Sequence, residues 1–458
     1  MSDTTAKPSG RGAIFLTGSV MRHVVIMTMT GAVGLMTMFG ADLADLYYLS
    51  LLNDTNVTAA IGFAGILSFA NLSMSLGIGI AAAALVARNI GAGDPVRAKE
   101  FATSSVTFTL VVSGAYTLLA AIFADPLMRF LGAEGEALRL ATSYIRILTP
   151  GFIMLATAVC CSFALRGIGS PTRAMFVTLG SAAATLVIDP IMIFHFGWGI
   201  QGAAVAHVCA NTCALAFGIH GLAVHHRFLY HISLKGLRRD FRTIWSIALP
   251  AMLTQLATPF TVAYTTYAVA PFGTEAVSAS AIIGRIVPVA FGIIFSLSGA
   301  VGPIIGQNFG ARDFGRVRQT LWDGLKFAAV YTLITSALLF AFREHVAAAF
   351  HLNGEARTIV IFFCSWIGIT WAFAGAQFVA NAAFNNLGRP ALSTWFNWGK
   401  ATLGTIPFAI VGSRLAAVEG MMAAIGVGSI VFGIASVWVA ARIVNRLESG
   451  TSHAHGHH

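Results

Sequence analysis

The 458-residue chain is short of charge: Asp, Glu, Lys and Arg together make up 10% of it, against about 25% in an average soluble chain. A water-facing surface cannot be built from so few. Cysteine is scarce too, and the five, Cys160, Cys161, Cys209, Cys213 and Cys364, all fall inside apolar stretches, where they read as small buried hydrophobes. Cys209 and Cys213 share a helical face but have no carboxylate or histidine shell, so no metal site is expected. No Gly-x-x-x-x-Gly-Lys-Ser/Thr loop occurs, which excludes an ATP-driven pump built on that motif, and no His-Glu-x-x-His or nucleophile-base pair stands in the apolar stretches to support an enzyme. The segments of about 10 alternating residues that mark a membrane barrel are missing. The first 20 residues lack a signal-peptide pattern. No basic stretch is interleaved with base-stacking aromatics, so nucleic acid is not an expected partner.

Hydrophobic residues fill 57% of the chain. They come in about twelve blocks of roughly 20 or more, the length a helix needs to cross about 30 Å of hydrocarbon. The blocks run near 21–50, 58–86, 101–123, 138–163, 172–194, 201–224, 244–270, 276–305, 322–342, 358–384, 391–412 and 418–441. This is an all-α polytopic membrane protein with the lipid bilayer as its solvent. On that division 19 Lys and Arg, from Lys7 to Arg446, fall on one side and 5 (Arg129, Arg139, Arg343, Arg357 and Arg414) on or towards the other. The positive-inside rule makes the basic side and both termini cytoplasmic, and the net charge of +10 becomes a matter of topology.

The chain repeats itself. Asn89-Ile-Gly-Ala-Gly-Asp-Pro-Val-Arg97 matches Asn308-Phe-Gly-Ala-Arg-Asp-Phe-Gly-Arg316 at an offset of 219, with five of nine positions identical. The same offset pairs Gly65 with Gly284, Gly169 with Gly388 and Pro171 with Pro390. The predicted organisation is a cytoplasmic tail (1–20), a six-helix bundle (21–224), a basic linker (225–243), a second six-helix bundle (244–442) and a His-rich tail (443–458) that is a solvated tail or a purification remnant. An even number of spans per copy makes the copies parallel about an axis along the membrane normal. Prolines at 150, 190, 250, 259, 288 and 407 fall within spans, as packing kinks or as bends used in a transport cycle.

Ala87-Arg-Asn-Ile-Gly-Ala-Gly-Asp-Pro-Val-Arg-Ala98, its partner Gly306-Gln-Asn-Phe-Gly-Ala-Arg-Asp313, Leu165-Arg-Gly-Ile-Gly-Ser-Pro171, Ile188-Asp-Pro190 and Gly199-Ile-Gln-Gly-Ala-Ala204 resemble, in order, spacing and duplication, the motifs of the multidrug and toxic compound extrusion (MATE) transporters. The likeness runs from about 22 to 442. It implies twelve helices in two bundles forming a V around a central cavity. It further implies secondary active efflux of small amphipathic or cationic compounds against a proton or sodium gradient, from the inner (plasma) membrane of a bacterium, by a monomer that needs no cofactor beyond the coupling ion. A lipid-linked or metabolite exporter of the wider superfamily is the alternative.

Ionisable groups at membrane depth are costly and so are functional candidates. Of 18 acidic residues only Asp42, Asp45 and Asp189 lie inside the spans beyond their first two residues. A carboxyl removed from water holds a proton more readily, which is what a proton-coupled carrier requires. The resemblance implies that Asp45 and Asp189 form the ion site, with Tyr144 lining it. Thr185 and His207 stand where the family often has Asn and a small hydroxyl residue, and a histidine favours protons over sodium. His207 can equally be a hydrogen-bonded structural residue, and Asp42, near its helix end, can face water. Asn71, Arg285 and Lys400 are weaker candidates for the cavity or its gates; Lys400 is either an ion-pairing or substrate-binding residue or a lysine reaching for the membrane edge.

Overall fold

The computed structural model describes residues 13–52, 54–230 and 234–455, with side chains to 449. Lys7, Arg11 and the histidine side chains of the C-terminal tail lie outside them. The described residues are helical throughout, with no strand. Ten helices follow in order: α1 (Val20–Ser50), α2 (Thr55–Gly91), α3 (Pro95–Ile122), α4 (Gly135–Ile168), α5 (Pro171–His195), α6 (Gly199–His225), α7 (Leu234–Phe272), α8 (Thr274–Gly310), α9 (Phe314–Ala349) and α10 (Gly354–Asn386). The eleventh apolar segment, Ala391–Ser449, holds two helices. It breaks at Ala416 (φ −154°, ψ 50°) and Ala417 (φ 45°, ψ −130°), which separates α11 (391–415) from α12 (418–449). Eleven segments are long and apolar enough to span a membrane, and with the last divided at 416–417 the chain has twelve long helical segments, the number of apolar blocks in the sequence.

The helix ends explain which residues recur between the copies. Asp94 accepts a hydrogen bond from Arg97 N at the start of α3, and Asp313 does the same for Arg316 N at the start of α9, each satisfying an amide that the helix itself leaves free. Gly169 (φ 96°) and Gly388 (φ 79°) end α4 and α10 in the left-handed region, which costs a residue with a Cβ about 1–2 kcal/mol. Pro171 then opens α5 and Pro390 immediately precedes α11, the place where a missing N–H costs nothing.

Packing follows the same repeat. α2 packs on α4 as α8 packs on α10, and α1 on α5 as α7 on α11. Between the copies α1 meets α8 and α2 meets α7, which are equivalent pairs, while α2 meets α8 across their shared axis. At that crossing a Cβ on Gly91 would lie 1.8 Å from Gln307 O, and one on Gly310 would lie 1.9 Å from Arg88 O. Gly91 and Gly310 differ by 219, and so do Arg88 and Gln307: the crossing maps onto itself when the copies are exchanged.

Three expectations are corrected in detail. Helix α7 opens at Leu234, ten residues before the predicted 244, because the charged stretch Lys235–Arg242 continues the helix and is anchored to α3 rather than forming a free linker. Pro303 also lies within α8, and Pro407 follows an interruption of α11 at 403–405, so it stands where that helix breaks rather than within a continuous helical turn. The helices run past the apolar blocks, as α2 does to Gly91, since capped polar ends remain helical.

Candidate functional site

The first six helices gather the titratable groups. Asp42 and Asp45 sit on α1, Tyr144 on α4, Thr185 and Asp189 on α5, and His207 on α6. Asp45 is buried, and His207 Nε2 lies 3.4 Å from its Oδ2. Asp189 is fully buried; neither of its oxygens nor Oδ1 of Asp45 has a hydrogen-bond partner. Asp189 is within electrostatic reach of both Asp45 and His207, and the buried Tyr144 hydroxyl is within reach of all three carboxylates. Asp42 is exposed and interacts with His207 and Asp45, so it forms the open edge of the set. Thr185 is buried one turn before Asp189. Below Asp189 the backbone is irregular: Pro190 has no N–H to give, and Ile191–His195 form a π-turn, a distortion that frequently marks functional sites.

The weaker candidates lie elsewhere. Asn71 is buried and donates through Nδ2 to Phe152 O at 3.4 Å, tying α2 to α4. Arg285, expected to be buried, is exposed on α8, because hydropathy finds the span but not which face of it is covered. Lys400 is half-buried on α11.

A second feature was not expected. Hydrogen bonds join the copies, most of them at one end of the helices. Arg88 donates from Nε to Asn386 O (2.7 Å) and from Nη2 to Asn385 O (2.8 Å), capping α10. Gln307 Nε2 donates to Gly167 O (2.9 Å), and Ser296 Oγ to Thr28 O (2.8 Å). Arg97 on α3 pairs with the fully buried Asp240 on α7 at 2.7 Å, and Ser104 Oγ donates to the other oxygen of Asp240 at 2.7 Å. The equivalent Arg316 on α9 donates to Phe15 O (2.8 Å) and Gly18 O (3.1 Å) in the segment ahead of α1. Each copy therefore uses the arginine of the same motif to hold the chain entering the other.

The motif match closes on this geometry. A family model described as MatE matches residues 32–191 and again 250–411, one match on each copy. The chain belongs to the MatE family. It is a multi-pass membrane protein, and the transporters of this family move small molecules. Among relatives of this MatE chain, a protein named FAD transporter from Shewanella oneidensis is 28% identical over 444 residues, covering 95% of this chain and 98% of the relative. The multidrug export protein MepA of Staphylococcus aureus is 26% identical over 339 residues, or 72% of this chain and 73% of MepA. The crystal structure of a mutant of the Vibrio cholerae MATE transporter VcmN shares the fold, with a TM-score of 0.88 at 23% identity over 94% of this chain and 97% of that one.

The MatE resemblance and the titratable groups thus converge on one cluster, while Asn71, Arg285 and Lys400 stand apart from its recorded interactions. The cross-copy arginines escaped the sequence reading. The signal was present, since Asp94/Arg97 and Asp313/Arg316 recur within the repeated motif, and Asp240 is a lone acid in a basic stretch.

Proposed function

We propose that this MatE protein is a secondary active exporter of small amphipathic compounds, coupled to protons through Asp45 and Asp189 and alternating its access across the membrane. The observation that carries the reading is the buried Asp45–Asp189–His207 set with three carboxylate oxygens unpartnered. Two carboxylates gathered in one dry site repel each other, and a proton taken up there answers that charge. His207 offers a base beside Asp45 that sodium would not need, which favours the proton. Taking up or losing the proton changes the cost of holding α1 against α5, and Pro190 with its π-turn is where α5 can yield.

MepA is named a multidrug export protein, and export is the direction assigned here. The contacts at one helix end describe a state closed on that side; the surplus of Lys and Arg makes it the cytoplasmic side, and the protein acts as a monomer in a bacterial plasma membrane with both termini inside. The two bundles, divided at 225–243, rock apart and together at the end closed by the Gly91–Gly310 crossing. The test is efflux of ethidium from reconstituted vesicles under separately imposed gradients. A proton gradient alone is expected to drive it; transport driven by sodium alone would overturn the coupling, and no transport under either would overturn the function.

A further inference from the structure

Arg166, near the end of α4, is a basic side chain at membrane depth with nothing to answer its charge. Its Nε is buried without a hydrogen-bond partner, and among the described residues its guanidinium makes no hydrogen bond or ion pair. Its recorded ring contact is Phe163, at 5.7 Å. Arg88, the other arginine at the junction of the copies, is satisfied by two backbone carbonyls. The fold does not demand a charge at position 166, because the 219 offset places Asn385 there in the second copy, and Asn385 accepts a hydrogen bond from Ser393 Oγ at 3.1 Å.

Where the guanidinium lies is fixed by two glycines. A Cβ on Gly31 of α1 would be 3.1 Å from Arg166 Nη1, and one on Gly299 of α8 would be 3.0 Å from it. The group therefore occupies the seam between the copies, in space those glycines leave free. Gly31 is 11 residues from the start of α1 and Gly299 is 11 from the end of α8, about 16 Å from the closed end at 1.5 Å per residue. Counted from the limits of the apolar blocks at 21 and 305, Gly31 and Gly299 stand roughly 15 and 9 Å in at 1.5 Å per residue, within the hydrocarbon. The Gln307–Gly167 bond and the Gly91–Gly310 crossing shut the space on the closed side. Arg166 is only partly buried, so its guanidinium is not sealed within the seam.

We propose that Arg166 is a cargo-binding residue at the floor of the central cavity and that the cargo it selects carries an oxyanion, a phosphate or a carboxylate, on an amphipathic body. This rests on the reading of the protein as an exporter with a cavity between its halves. A guanidinium presents a planar fork of donors that such a group accepts in pairs. The acids lie in the first bundle and leave this floor positive, so one molecule can carry protons on one wall and an anion below. The name of the Shewanella relative, FAD transporter, is consistent with an anionic cargo.

The experiment uses the purified full-length protein and three fluorescent probes: FAD, riboflavin, which has the same ring system without phosphates, and the cation ethidium. The wild type is expected to bind FAD at least ~10-fold more tightly than riboflavin, with the preference lost at high salt. Arg166→Gln is expected to abolish the preference while leaving ethidium binding and the melting temperature near wild type, and Arg166→Lys to retain part of it. Equal binding of FAD and riboflavin by the wild type, or an undiminished FAD preference in folded Arg166→Gln, overturns the proposal. Should the Gln variant fail to fold, Arg166→Lys takes its place: a reduced FAD preference sustains the proposal and an undiminished one overturns it. Ethidium efflux by the wild type separates the two readings: efflux without oxyanion preference sinks this inference alone, and absence of efflux sinks the exporter.

Discussion

Asp189 sits in a fully buried position with both carboxylate oxygens unpartnered, an environment in which a charge is costly to hold. A neutral amide is cheaper to bury, so Asp189→Asn and Asp45→Asn are expected to insert and melt like wild type while gradient-driven ethidium export falls by at least ~10-fold, a deficit of about 1.4 kcal/mol or more in the driven step. Asp42→Asn, on the exposed edge of the set, should lose less. Wild-type export in both buried variants at equal expression would place the coupling elsewhere. These residues were legible in the sequence because a carboxylate inside an apolar block stands out. Arg166 was not: the fourth block seemed to end at 163, so its arginine counted as a loop residue. The helix continues to Ile168, and the side chain reaches the seam from there. Asp240 was hidden by its basic neighbours. Its role is cross-copy anchoring, since Arg97 and Ser104 both bind it. Asp240→Ala leaves Arg97 and Ser104 without that acceptor and should lower stability by about 1–3 kcal/mol, read as an earlier melting transition.

At the scale of the helices, the crossing of α2 over α8 depends on having no side chain at Gly91 and Gly310, where a methyl would press on a carbonyl oxygen of the opposite helix. Gly91→Ala or Gly310→Ala should force the copies apart at that end, cost about 1–3 kcal/mol by overpacking, and raise the labelling rate of a cysteine placed at Ser296. Gly114→Ala is the control: a Cβ there meets nothing within 4 Å, so helix propensity alone should leave stability unchanged or raise it by up to about 1 kcal/mol. Equal effects at 91 and 114 would show that the crossing does not hold the copies together. The helices themselves were legible as apolar blocks, and the recurrence of Gly, Asp and Pro at the offset showed that the ends mattered. What the blocks could not give was the face each helix covers. The span with Arg285 is apolar all round, so nothing in its pattern separates an exposed arginine from a buried one. The division between 412 and 418 was legible, and the break at Ala416–Ala417 falls inside it.

For the whole molecule, orientation and cycling are both testable. Of the five arginines assigned to the outer side, three have an acid at hand: Arg129 with Asp125, Arg139 with Glu136 and Arg357 with Glu344. On the basic side Arg97, Arg239 and Arg318 are paired as well, so the orientation rests on the 19 to 5 count of basic residues itself. Reporters inserted after Gly132 and after Gly388 should report opposite sides, the second cytoplasmic; the same side for both would undo the topology. Alternating access makes a stronger demand, because the closed end must open once per cycle. Ser296 of α8 lies against α1, where a Cβ on Gly31 would be 3.2 Å from its Cβ, near the separation of about 3.5–4.5 Å that a disulfide bridges. In a chain whose five cysteines are replaced by alanine, Gly31→Cys with Ser296→Cys should cross-link on oxidation once the flexible Arg166 side chain gives way. If the copies rock apart here to admit cargo, the oxidised protein should still bind ethidium from the open side but lose export by at least ~10-fold, with recovery on reduction, while either single cysteine should remain insensitive to oxidant. A cross-linked protein that exports at the reduced rate would mean that cargo passes without the seam opening, and the rocking cycle would have to be abandoned even though the fold stands.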